Sequence, residues 1–200
     1  MPARASGSDG LTRIERERRA QIIAATITLV AERGHAETSL SRIAQAAGVA
    51  KGTVVYHFTT KDAVLAAAYQ QVLTSLVTHV AERVEAVPIR QAPEAYVRAM
   101  LEHLTGHPEH ARTIVQVGLA AAANGDRVRP PGQQRWAPLA ALLGEADASS
   151  GRSVNTDKLR TLAVLVGGMI DAVVAEFLDD PTYDADAAAK QIVDLLNHGL

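Results

Sequence analysis

From Thr12 to Leu196 the apolar residues fall three or four positions apart, and no segment alternates apolar with polar residues for long enough to be a strand. This periodicity constrains the fold more than any other feature, and it predicts an all-α chain. Alanine, the best helix former, supplies 37 of the 200 residues, while glycine, proline and aromatics are sparse. A hydrophobic content of 48% is enough for one large core or two small ones and too high for disorder. The absence of cysteine excludes disulfides, thiol nucleophiles and cysteine zinc sites, and it fits a reducing cytoplasm.

About nine helices are expected. The first covers 12–33, with Ile14, Ile22, Ile23, Ile27 and Val30 on one face and Gly34 as its stop. Thr38 and Ser39 are caps for a short helix to Ala47, which Gly48 ends. A third helix follows over 50–58. Thr60 caps a long fourth over 61–87, stopped by Pro88. Further helices are expected at 93–105, 108–123, 134–146, 155–178 and 184–197, with polar loops at 124–133 and 147–154. Residues 1–10 are expected to be a disordered tail. The domains predicted are 1–60, with a helix-turn-helix at 39–58, and 61–200.

The first 20 residues carry arginines but no apolar core, so no export leader is expected. The stretch 63–81 lacks formal charge but holds Gln70, Gln71, Thr74, Ser75, Thr78 and His79. Leu65, Tyr69, Val72, Leu76 and Val80 share one face, so it reads as an amphipathic helix and no membrane span is expected. The net charge of −2 is unevenly divided. Residues 1–61 hold nine basic and five acidic residues, net +4, and 62–200 hold eleven and seventeen, net −6. A basic head on an acidic body suggests that only the head meets a polyanion.

The most informative segment is Thr38–Lys61, TSLSRIAQAAGVAKGTVVYHFTTK. Two short helices joined through Gly48-Val49 make a helix-turn-helix, with Ala44 and Gly48 small at the close approach and Val49 and Val54 filling the angle. The outer face of the second helix then offers Lys51, Gly52, Thr53, Val55, Tyr56 and His57. A helix fits the DNA major groove and its first turns reach base edges. Lys61 sits at a helix start, where the macrodipole disfavours a cation unless an anion such as phosphate is near, and Ser39 can make a similar contact. The candidate DNA-contacting set is Ser39, Ser41, Arg42, Lys51, Gly52, Thr53, Val55, Tyr56, His57 and Lys61. Arg13, Arg16, Arg18 and Arg19 are either an arm that reaches the DNA backbone or a minor groove, or ordinary helix residues paired with Glu15 and Glu17 behind a frayed tail.

On Gly34, Thr38-Ser39-Leu40, Ile43-Ala44, Ala47-Gly48-Val49, Lys51-Gly52-Thr53, Tyr56-His57-Phe58 and Lys61-Asp62, the chain resembles the tetracycline-repressor (TetR/AcrR) family of bacterial regulators. The resemblance covers about a quarter of the sequence. It implies a three-helix DNA-binding head, a helical ligand-binding body, and dimerisation through the last two long helices. The chain departs from the family pattern at Ala50, where a hydroxyl residue usually caps the recognition helix, and at Val55, often a tyrosine.

By analogy the body would hold an unknown small-molecule effector, with Tyr69, Tyr96, Met100, His103, Trp136, Met169 and Phe177 as candidate contacts, although such residues are more often core. No cofactor and no metal are expected: Gly106 and Pro108 interrupt the helix between His103 and His107, and no HExxH spacing occurs. Gly167-Gly168 is expected to let two helices pack closely. Leu159, Leu162, Val166, Ile170, Val173 and Phe177 form one stripe and Ile192, Leu195 and Leu196 another, expected to build an intersubunit four-helix bundle or else an internal core. The expected function is a cytoplasmic, homodimeric, ligand-responsive repressor of a palindromic duplex operator. Two alternatives stand: a degenerate helix-turn-helix protein that binds another protein, and a small all-α enzyme, for which no converging acid, base and nucleophile appears.

Overall fold

The computed structural model describes residues 12–123 and 135–198. The expected tail at 1–10, the loop at 124–133 and the helix start at Gln134 lie outside them. Among the described residues there are nine α-helices and no strand. They are α1 (Arg13–Glu37), α2 (Leu40–Ala46), α3 (Lys51–His57), α4 (Lys61–Glu85), α5 (Ala92–Gly106), α6 (Pro108–Ala123), α7 (Ala137–Ser149), α8 (Thr156–Asp179) and α9 (Ala185–His198). A single 3-10 turn, Ile89–Gln91, follows Pro88. The chain divides into two compact units, 1–71 and 72–200, with the division inside α4.

In the first unit, Ile22, Ile23, Ile27, Leu29 and Val30 of α1 are buried, as are Ile43, Ala44, Ala47, Val54, Phe58, Val64 and Leu65. Ile14, placed by its spacing on the apolar face of α1, is instead 72% exposed, because it lies in the first turn, ahead of the buried stretch. Thr12 starts α1 with a reciprocal capping box: its hydroxyl accepts from Glu15 N and Glu15 Oε2 accepts from Thr12 N. Gly34 breaks the helical path at φ 82°, a left-handed value open to glycine, and the hydroxyl of the buried Thr38 donates to its carbonyl at 2.9 Å. Ser39 alone therefore caps α2, accepting from Arg42 N at 3.3 Å.

The core of the second unit is aliphatic, with Val97, Leu101, Leu139, Val166, Ile170 and Ile192 among its buried members. The stripe on α8 belongs to it: Leu159, Val166, Ile170 and Val173 are buried, and Leu162 and Phe177 pack against them. Helices α5 and α7 of the same chain pack on α8, so this stripe is an internal core and not the surface kept for a partner. The apolar residues of α8 left open are Val164 and Leu165, with Gly168 and Ala172 also exposed. On α9, Ile192 is buried, Leu196 is partly buried against the core, and Leu195 is 40% exposed.

The glycine pair plays a different part from the one expected. Gly167 lies under the Trp136 indole, where an added Cβ would stand 2.1 Å from Cε2, whereas Gly168 faces open space. Arg135 also lies over the ring, its guanidinium 4.4 Å from the centroid, and forms a two-pronged ion pair with Asp171. Helices α4 and α8 are long and apolar enough to cross a membrane by length and composition alone, a test that core helices also pass.

Candidate nucleic-acid interface

The turn between α2 and α3 depends on Gly48. Its φ is 62°, and an added Cβ would meet nothing, so the demand is conformational and not steric. The turn is tied by Val49 N to Ala44 O at 3.0 Å and by Ala47 N to Ile43 O at 2.8 Å. Gln21 of α1 reaches the same turn and donates through Nε2 to Ala47 O at 2.7 Å. These bonds set α3 against α2 before any partner arrives.

Val54, fully buried, and Phe58 root α3 in the core. The stacking of Arg19 on Phe58, 4.2 Å to the ring centroid, covers that root from α1. One helical face is then turned out: Lys51, Gly52, Val55 and Tyr56, spaced i, i+1, i+4 and i+5, are all exposed. Thr53 and His57 flank it half-buried. A Cβ on Gly52 would meet nothing within 4 Å, so the backbone is bare on this side. Ala50 begins the helix with extended dihedrals and no side-chain cap.

Of the remaining candidates, Arg42, Lys61 and Ser39 have internal partners. Arg42 donates to Glu37 O at 2.6 Å and pairs with Glu37 Oε2 at 3.0 Å, an exposed pair. Lys61 Nζ donates to His35 O at 2.8 Å, which answers the question of how a cation tolerates that helix start: a carbonyl sits on it. Burial and the neighbouring Lys61 charge lower the His35 pKa. Ser39 is occupied as a cap, and Ser41 is exposed. Two residues that the sequence did not single out for this surface belong to it. Glu15 accepts from the Tyr56 hydroxyl, and Glu37 holds Arg42. The Glu15 and Tyr56 positions are 41 residues apart, so no local pattern announces the contact. Arg13 pairs with Glu17 at 3.3 Å and Arg18 donates to Gln21 at 2.8 Å, as helix residues do.

The second unit contains a cavity of about 350 Å³ formed by α7, α8 and the residue Val154 before α8. Trp136, Ala140, Leu159 and Val164 form its apolar wall, and Arg160 is its charged member. Of the seven candidate effector contacts only Trp136 lines it. Tyr96 and Met100 are buried in the core, and Met169 and Phe177 pack against that core. Tyr69 is buried within the first unit. Burial pushes the Tyr96 pKa up to about 12, so its phenol stays neutral. His103 lies elsewhere, among other histidines. The interruption at Gly106–Pro108, expected to keep His103 and His107 apart, instead folds their rings to 4.9 Å.

The sequence pattern of the bacterial regulatory proteins of the tetR family matches residues 22–68, the span of α1, α2, α3 and the start of α4. The chain is 40% identical over 85 residues to the HTH-type transcriptional regulator BetI 2 of Chromohalobacter salexigens, covering 42% of this chain and 41% of that one. It spans about two fifths of the length of the first curated relatives it matches. The fatty acid degradation regulator FadR of Bacillus halodurans has the same fold, with a TM-score of 0.68 at 24% identity over 90% of this chain and 94% of the other. So has FadR of Bacillus subtilis, solved in complex with stearoyl-CoA, with a TM-score of 0.68 at 21% identity over 90% and 98%. The helix-turn-helix of residues 22–68 thus carries the pattern of the tetR family of bacterial regulatory proteins, and the all-helical fold of the chain is the one these solved regulators share.

Proposed function

We propose that this chain is a cytoplasmic, homodimeric, ligand-responsive DNA-binding regulator, a repressor released from a near-palindromic operator by a small molecule. The observation that carries the reading is the outward face of α3, where Lys51, Gly52, Val55 and Tyr56 stand clear while Val54 and Phe58 anchor the helix from behind. In a two-fold dimer, two such helices enter successive major grooves about 34–36 Å apart. Lys51 and Thr53 read bases. Lys61 spends one N–H on His35 O and keeps others for a phosphate.

The partner surface that fits is the open face of α8, Val164, Leu165, Gly168 and Ala172, beside Leu195 of α9. The effector fits the Trp136–Leu159 cavity, whose apolar wall and single cation suit a small, largely apolar molecule with an acidic end. Such a ligand acts only by binding one of two states more tightly, and α4, whose residues fall in both units, is the covalent route for the change.

The experiment is fluorescence anisotropy with duplex from the chain's own upstream region, at several salt concentrations. Lys61→Ala weakens binding to all sequences and makes the salt slope shallower by about 1. Lys51→Ala and Thr53→Ala change sequence preference. Binding no tighter than to random duplex rejects the reading and favours a protein-interaction module.

A further inference from the structure

At the corner between α5 and α6 four imidazoles meet: His79 from α4, His103 from the last turn of α5, His107 at the corner and His110 in the first turn of α6. All belong to the second unit. Glu109 stands among them. Its Oε1 lies 3.3 Å from His107 Nδ1 and 3.9 Å from His110 Nε2, and the ligand atoms of the three residues all lie within 4.8 Å of one another. Adjacent ligands on a tetrahedral zinc ion, with bonds of about 2.0–2.1 Å, stand about 3.3 Å apart. Small side-chain rotations would close the observed triangle onto one ion.

The far side of His110 has the arrangement that metal-bound histidines require. Its Nδ1 lies 3.0 Å from His103 Nε2. When His110 Nδ1–H is the donor of this pair, Nε2 keeps its lone pair toward Glu109 and His107, the tautomer a metal ligand needs. His103 is itself buried, its ring centroid 5.3 Å from that of His79 with the two planes tilted by 47°. The His79 Nε2 atom is buried without a hydrogen-bond partner, since Glu102 Oε2 at 3.3 Å lies off the bonding direction. Burial first, then the neighbouring His110, His107 and His79, push the His103 pKa down to about 4, and burial also lowers that of His110.

Packing does not explain the whole group. His107 is exposed at the corner and Glu109 is half-exposed, so neither is needed to fill the core. We propose that His107, Glu109 and His110 form a binding site for a divalent first-row transition ion of the zinc class, with His103 as the residue that positions His110. Two imidazoles and a carboxylate make a three-ligand set that leaves a fourth position for water or an exogenous ligand. The site stands whether or not the chain binds DNA.

The test uses the full chain without a histidine tag, stripped with a chelator and titrated with zinc against a chromophoric competitor. One ion per chain with a micromolar or tighter Kd is expected, and cobalt(II) in its place should give the intense visible bands of a four-coordinate site. His107→Ala and Glu109→Gln, both at the surface, should each weaken binding at least tenfold with an unchanged helical circular-dichroism spectrum. His103→Gln should weaken it by about 10–100-fold through the orientation of His110. The absence of stoichiometric binding, or equal affinity in the His107 and Glu109 variants, overturns the proposal.

Discussion

The Tyr56 hydroxyl donates a hydrogen bond to Glu15 Oε1 at 3.0 Å, joining the exposed face of α3 to the first turn of α1. Glu15 thus serves two ends, because its other oxygen closes the Thr12 capping box at 2.7 Å. The Thr12 bonds, and after them the Tyr56 bond, hold its carboxyl below the usual glutamate range, while Glu15 raises the Tyr56 pKa. The consequence is a full negative charge beside the surface proposed to meet phosphate. Glu15→Gln keeps the acceptor and removes the charge. It should tighten duplex binding by roughly two- to fivefold, irrespective of sequence. Anisotropy titrations of the two proteins on specific and random duplex check this, and weaker binding by the variant would show that Glu15 acts through Tyr56 placement alone.

Ala50 starts α3 with φ −65° and ψ 145° and makes no side-chain cap. A serine there has the backbone it needs and should add about 1 kcal/mol to stability. Urea denaturation followed by circular dichroism measures the difference, and no gain in midpoint for Ala50→Ser would mean that α3 is held wholly by Val54 and Phe58.

His35 carries a sign that can be worked out. Its folded pKa lies below the ordinary 6.5, by burial first and by the Lys61 charge second, with Asp62 opposing. The unfolded chain therefore takes up the proton first. Stability from this group is complete above about pH 6.5 and declines as the pH falls below it, until the folded form also protonates. Denaturation midpoints at pH 7.5 and 5.5 should differ by less in His35→Gln than in the parent chain. Equal differences would remove His35 from the acid response.

Gly167→Ala sets two effects against each other. Helix propensity favours alanine by about 1 kcal/mol. The added Cβ, however, would lie 2.1 Å from Trp136 Cε2, so the indole must leave its place over α8. Overpacking of this kind costs about 1–3 kcal/mol, so net destabilisation is expected. In a Trp136→Leu background the same alanine should be neutral or stabilising, and a double-mutant cycle in thermal unfolding reads the coupling. Additive effects would mean the ring already moves freely.

Most of the helix map was legible in the chain. Ser39 and Thr60 each cap the helix that their sequence position predicts, accepting from Arg42 and Ala63 backbone N–H groups. Leu65, Tyr69, Val72, Leu76 and Val80 share one helical face, and all five are buried. Capping and amphipathic periodicity are local physics, decided within a turn or two, so one sequence suffices for them. The same holds for the turn at Gly48, where a left-handed backbone asks for glycine.

What lay beyond the sequence required distant residues to meet. The α8 stripe from Leu159 to Phe177 has the same spacing whether it faces a partner or its own chain, and only the packing of α5 and α7 assigns it to the core. Gly167 looks like its neighbour Gly168 until Trp136, some thirty residues earlier in the chain, is laid across it. The break at Gly106–Pro108 argues against a shared site for His103 and His107 along a straight helix, yet the bend brings these rings, His110 and His79 together. The chain by itself determined where helices begin, end and turn an apolar face, because those follow from neighbours in sequence. Tertiary structure alone decided which faces remain open and which titratable groups converge, because burial and proximity depend on contacts that no local spacing encodes.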